Sequence, residues 1–135
     1  MATPLDIPLG KQVEFPRAYD RNLLKAVPWE NPDLLESPEV DLNFDEFTSL
    51  CPITKQPDFG RIHISYKPRN FICESKSLKL YLGSFRNFGC FQEKITSIIC
   101  NDFVHVVRPH HATITTDFNS RGGVTISCSI TWEED

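Results

Sequence analysis

The sequence predicts an α+β fold: an antiparallel four-stranded sheet with two helices on one face, in the order β-β-α-α-β-β. Three observations predict it. Apolar residues alternate with period two near both ends of the region after residue 40. Between these stretches the apolar spacing changes to three and four. The helical patterns are segregated in the middle, with strands at both ends, and do not alternate with single strands as in a parallel βαβ sheet.

Taken in order, residues 1–39 form a proline-rich N-terminal arm, because Pro4, Pro8, Pro16, Pro28, Pro32 and Pro38 interrupt every possible long element. Leu23, Leu24, Val27 and Trp29 are too apolar for a solvated tail, so the arm is expected to pack on this domain or a neighbouring subunit. Residues 40–135 form one domain. Its first strand carries Val40, Leu42 and Phe44 against Asp41, Asn43 and Asp45. A second runs from Arg61 to Tyr66, with Ile62, Ile64 and Tyr66 on one face, and Lys67–Asn70 turns the chain at Pro68. A helix follows from Ser77 to about Phe88 on Leu78, Tyr81, Leu82 and Phe85, with Gly89 as its stop. A second spans about Cys90 to Val107, carrying Phe91, Ile95, Ile98, Ile99, Asp102, Phe103 and Val106 on one stripe before Pro109. Strands return with Ile114, Thr116 and Phe118, a turn over Asn119–Gly123, and an unbroken alternation from Val124 to Trp132.

At 135 residues the chain is too short for separate cofactor and substrate domains. Apolar residues at 40% and charged residues at 24% are globular proportions, so the domain folds. A net charge of −4 gives no basic field for a phosphate backbone, so no nucleic-acid partner is expected. No signal core or membrane-length apolar run is present, which points to a cytoplasmic protein without a membrane partner. The five cysteines are odd in number and widely spaced, unlike a disulfide framework. No pair among them and His63, His105, His110 and His111 has metal-site spacing, so no metal is expected.

Chemistry must come from local clusters, since no glycine-rich phosphate loop and no G-x-S-x-G elbow is present. The densest is EFTSLCPITKQPDFG, residues 46–60. Pro52 favours an extended or turn conformation for Cys51, and a loop through Pro57 brings Asp58 back toward the sulfur. From spacing alone, Cys51 reads better as a small buried hydrophobe and Asp58 as a turn former. FTSLCPITKQPDF and ESKSLKLYLGSFRN together, followed by FQE and FNSRGGVTI, closely resemble the motifs of the 7-cyano-7-deazaguanine reductases, the nitrile reductases of queuosine biosynthesis. The likeness covers roughly residues 44–127 and is to the family's short, single-domain type.

The resemblance implies a tunnelling fold whose subunits close into an oligomeric barrel, as two stacked pentameric rings, with active sites at subunit interfaces. It implies NADPH-dependent reduction of the nitrile to an aminomethyl group, with two NADPH consumed. By motif position, Cys51 matches the family's nucleophile, which forms a thioimide, and Asp58 its proton donor. Cys73, Glu74, Ser75, Gln92 and Glu93 match substrate-binding positions, and Ser75, Lys76, Arg121 and Gly122 match NADPH contacts. Lys79, three residues after Lys76 on the same predicted helix, joins that group. Gln92 stands where the family commonly has histidine, so a charge or proton-transfer role at that position is in doubt. Two other readings remain: an amidinotransferase of the same superfamily that acts on the nitrile in tRNA, and a non-catalytic purine-binding module. The intact ESKSLKLY and the acidic balance weigh against the amidinotransferase.

Overall fold

A computed structural model describes residues 14–29 and 36–135. The expectations for the rest of the arm lie outside the described residues. The elements are β1 (Ala26–Pro28), β2 (Val40–Leu50), β3 (Pro57–Lys67), β4 (Phe71–Cys73), α1 (Ser75–Gly83), α2 (Gln92–Val107), β5 (His111–Arg121) and β6 (Val124–Glu133). The principal sheet is antiparallel in the order β2-β3-β5-β6, and β1 pairs with β4 in a separate two-stranded ribbon.

The predicted β-β-α-α-β-β order holds for the principal sheet and both helices. Alternation decides which face is buried. On β3, Asp58, Gly60, Ile62, Ile64 and Tyr66 point toward the helices, and on β5 so do Ala112, Ile114, Thr116 and Phe118. They meet Leu78, Tyr81, Leu82 and Phe85 from the first helical segment and Ile95, Ile99, Phe103 and Val107 from α2 in one apolar core. The opposite face is polar and laced by Arg61–Asp117 at 3.0 Å, His63–Asp41 at 3.2 Å and Ser127–Asp117 at 2.9 Å.

Three elements differ from the sequence expectation. The first helix starts at Ser75 and gives way after Gly83 to a 3-10 turn over Ser84–Asn87, so Gly89 does not end it. Gly89 instead makes an isolated parallel bridge with Leu50. The second helix starts at Gln92, after Phe91 in extended conformation. The ribbon of β1 and β4 has no alternation long enough to read. It exists because the arm folds onto the domain: Leu24 and Ala26 are fully buried, and Tyr19 donates to the buried Asp102 of α2 at 2.5 Å, as does Tyr81. Among the described residues no helix is long and apolar enough to cross a membrane.

Candidate active site

Strand parity alone would put Cys51 and Arg121 on the wrong face of the sheet. On β2, Val40, Leu42 and Phe44 turn toward the helices, so every odd-numbered residue should face outward. A bulge between Phe44 and Phe47 leaves Asp45 and Glu46 both exposed and reverses the parity, so that Phe47, Ser49 and then Cys51 face inward. A second register shift, between Phe118 and Arg121, does the same on β5. The two shifts bring Cys51 and Arg121 to the face on which Asp58 already lies.

Cys51 begins a tight turn into β3. Its N–H donates to the Gln56 carbonyl at 2.9 Å, and its own carbonyl accepts from the Lys55 N–H at 3.0 Å. Lys55 closes the turn at a φ of 62°. Pro52 has no N–H, so the first free amides of this helix-like turn, those of Ile53 and Thr54, point back at the sulfur. The Thr54 hydroxyl, the Thr54 and Ile53 amides and, more weakly, the Arg121 guanidinium lower the Cys51 thiol to about 6 against a smaller opposing effect of burial. A thiol lowered this far is largely ionised at neutral pH.

The thiol is only 8% exposed, yet it opens onto a cleft of about 580 Å³. Asp58, Cys90, Gln92, Glu93, Arg121 and Gly122 line the same cleft. Asp58 is not on a loop, as the prolines suggested, but is the second residue of β3, opposite Ser49. It therefore stands diagonally across from Cys51, a separation of roughly 7 to 8 Å between such neighbours. Its carboxyl is 4% exposed, and Arg121 approaches Oδ1 at 2.9 Å. That contact is an ion pair without hydrogen-bond alignment, so Oδ1 still lacks a donor.

Arg121 owes its place to the hairpin tip. Gly122 at φ 59° and Gly123 at φ 84° make the two-residue turn, a conformation that side-chain-bearing residues rarely adopt. Nothing lies within 4 Å of a Cβ added at either glycine, so the turn borders open space beside the cleft. Gln92 is 6% exposed, and its side-chain oxygen has no hydrogen-bond partner. Glu93 is exposed in the first turn of α2.

The other predicted site residues lie elsewhere. The Cys73 N–H donates to the Tyr66 hydroxyl at 3.0 Å, which fixes this segment near the end of β3 remote from Asp58, roughly 26 Å along the strand. The Cys73 thiol faces the core, and burial pushes it up to about 12. The Glu74 carboxylate caps α1, accepting from the Ser77 and Lys76 amides at 2.8 and 3.0 Å. Ser75, Lys76 and Lys79 occupy the first turns of that helix, outside the cleft. Sequence reasoning did not place Thr54, Cys90 or Phe91 at the site; it put Phe91 on the apolar stripe of the second helix, whereas Phe91 precedes that helix and is 60% exposed at the cleft. Thr54 was readable as the third residue after a cysteine with proline next to it, the position whose amide and hydroxyl return to a capping atom.

The family model for QueF-like proteins matches residues 57–135. A Helicobacter pylori protein named NADPH-dependent 7-cyano-7-deazaguanine reductase is 48% identical over 118 residues, covering 87% of this chain and 80% of its own. A Bacteroides fragilis protein of the same name is 45% identical over 118 residues, covering 87% of this chain and 77% of its own. The crystal structure of an archaeosine synthase QueF-Like in the apo form superposes with a TM-score of 0.66 at 23% identity, over 71% of this chain and 95% of that one. This last likeness shows a shared fold.

Proposed function

Because the chain belongs to the QueF-like family, we propose that it reduces the nitrile of 7-cyano-7-deazaguanine to an aminomethyl group with NADPH, through a thioimide formed on Cys51. One observation carries the reading: a cysteine in a tight turn of hydrogen-bond donors and a buried carboxyl share a single cleft. A thiol in an apolar interior would do no chemistry, whereas a donor-lined thiolate beside a cavity is a nucleophile awaiting an electrophilic carbon.

The sulfur forms a bond to the nitrile carbon while one π bond of the nitrile breaks, and the nitrogen takes a proton from Asp58. Asp58, 4% exposed, lines the same cleft as the sulfur, where a proton donor to that nitrogen has to stand. Bound NADPH supplies hydride, twice per turnover. After the first reduction the carbon–sulfur bond breaks, and the same Thr54 and Ile53 donors that lower the thiol receive the departing thiolate. Asp58, recharged from solvent, serves again as the proton source.

Glu93 and the orphaned oxygen of Gln92 are acceptors suited to the ring N–H and exocyclic amine of a guanine-like base. The cleft suits a phosphate-bearing cofactor at the hairpin tip, where Arg121 supplies a cation and Gly122 and Gly123 leave open space. Glu74, Ser75, Lys76 and Lys79 are too distant to complete that site within one chain. We read them as the contribution of a neighbouring copy in a homo-oligomer. Its support is threefold: the edge strands β2 and β6 span 11 and 10 residues, the sheet order leaves both with an open side, and Ile53, Phe91 and Val124 are 75%, 60% and 63% exposed around the cleft.

The test is oxidation of NADPH, followed by its absorbance, on addition of the free nitrile base. A reductase consumes two NADPH for each amine formed. Absence of NADPH oxidation would point to the amidinotransferase or to a binding module, and of these only the binding module should also lack a covalent adduct that Cys51→Ala removes.

A further inference from the structure

The turn that holds Cys51 closes on a lysine in a backbone conformation that favours glycine. Lys55 sits at φ 62°, and among the described residues Arg108 is the only other side-chain-bearing residue with a positive φ. Arg108 ends α2, where a left-handed cap is ordinary. Glycine at position 55 would close the same turn without strain, so the turn itself does not account for a lysine there. Packing does not account for it either, because Lys55 is exposed. Among the described residues no acid forms an ion pair with its ammonium.

What the side chain does reach is the rim of the cleft. Its Nζ comes within 3.8 Å of the point where a side chain on Gly89 would begin. Pro52 and Cys90, the chain neighbours of Cys51 and Gly89, both line the cleft, as does Arg121. Resting on the reductase reading, we propose that Lys55 is a cofactor-binding residue, whose ammonium receives a phosphate of the dinucleotide at the mouth of the cleft. The nitrile base carries no anionic group, so the dinucleotide is the ligand in this reading that an unpaired cation suits. Hydride transfer requires the nicotinamide against the carbon bonded to Cys51, and one ribose separates that ring from the pyrophosphate. Lys55 donates its N–H to the Cys51 carbonyl at 3.0 Å, which places it one turn from the sulfur-bearing residue, a rise of roughly 5.4 Å. The turn that presents the nucleophile thereby also presents a cation where the phosphates have to pass.

Calorimetric titration of the full chain with NADP⁺ tests this without turnover. In Lys55→Gly the Kd is expected to rise roughly tenfold, the loss of one charge-assisted contact. The melting temperature of the same variant without NADP⁺ is expected to stay at or above that of the wild type, because glycine accepts the left-handed conformation. Lys55→Arg keeps the cation and is expected to bind as the wild type does. Lys94, whose side chain lines a separate groove beside Tyr19 and Asp102, serves as the control, and Lys94→Gln is expected to leave the Kd in place. A parallel loss for NAD⁺ in Lys55→Gly assigns the contact to the pyrophosphate that both dinucleotides share, and a loss confined to NADP⁺ assigns it to the additional phosphate. A Kd unchanged in Lys55→Gly, one raised equally in Lys94→Gln, or a weakened Kd accompanied by a lower melting temperature overturns the proposal. Absence of any NADP⁺ binding in the wild type removes the reductase reading as well, whereas wild-type binding that ignores Lys55 removes only this inference.

Discussion

Replacing Thr54 by valine tests whether the turn after β2 makes Cys51 reactive. Valine keeps the β-branched shape and the backbone amide but deletes the hydroxyl, the largest influence lowering the sulfur's pKa. At pH 7 a thiol titrating at about 6 is roughly 90% ionised, against a few per cent for an ordinary one. A charge-assisted hydrogen bond of this kind moves a titration by roughly one to two pH units, so the inflection in Thr54→Val is expected at roughly 7 to 8. The more basic thiolate is also intrinsically more nucleophilic, which offsets part of the loss, and alkylation at pH 6 slows by roughly two- to sixfold. The assay is iodoacetamide labelling read by peptide mass across pH 5 to 10. Burial raises the thiols of Cys73, Cys90 and Cys100, which keeps them slow over most of that range. Thr54→Ser restores the hydroxyl and is expected to titrate as the wild type does. A wild-type inflection near 9, or one that Thr54→Val leaves in place, refutes the reasoning.

Four further outcomes follow from the same contacts. Because the folded-state pKa of Cys51 lies below the unfolded one, its stabilising effect is complete above about 9 and lost as pH falls through about 6; melting temperatures of wild type and Cys51→Ala should therefore diverge as pH rises across that window. Glu93→Ala should raise the KM for the nitrile base about tenfold or more with a smaller change in kcat, measured by steady-state NADPH oxidation. Asp58→Asn should lower kcat by roughly 10²- to 10⁴-fold while the Cys51 alkylation profile keeps its inflection below that of an ordinary thiol. Tyr81→Phe removes one of the two phenols that donate to buried Asp102; a cost of about 2 kcal/mol should lower the melting temperature by roughly 7 °C, read by calorimetry.

The order of the main elements was legible because alternation at β3 and β6 and three-to-four spacing at α2 are long and uninterrupted. The site was legible in part. Of the residues expected by motif, Cys51, Asp58, Gln92, Glu93, Arg121 and Gly122 line the cleft, and two of them reach it through irregularities that a periodic pattern hides. The bulge at Asp45–Glu46 reverses the parity of β2, and only then does Cys51 face the helices. Once bulges are allowed, two adjacent exposed acids between Phe44 and Phe47 are the visible trace of it. The shift before Arg121 falls among residues that read simply as a turn. The β1–β4 ribbon is three residues on each side, too short to show a period, and depends on contacts between segments more than 40 residues apart in the chain. Gly89 misled because a glycine after a helical stretch suggests a stop, whereas here it lets the chain run beside Leu50 and delivers Cys90 to the cleft wall.

The central claim is that the Cys51 sulfur bonds covalently to the nitrile carbon. Intact-protein mass spectrometry of the chain incubated with 7-cyano-7-deazaguanine, in the absence of NADPH, tests this most directly. The expected result is a gain equal to the full mass of the base, since addition releases nothing, located on the Cys51 peptide and absent from Cys51→Ala. A Cys51→Ala variant that still forms the adduct, or that turns over substrate at the wild-type rate, would contradict it.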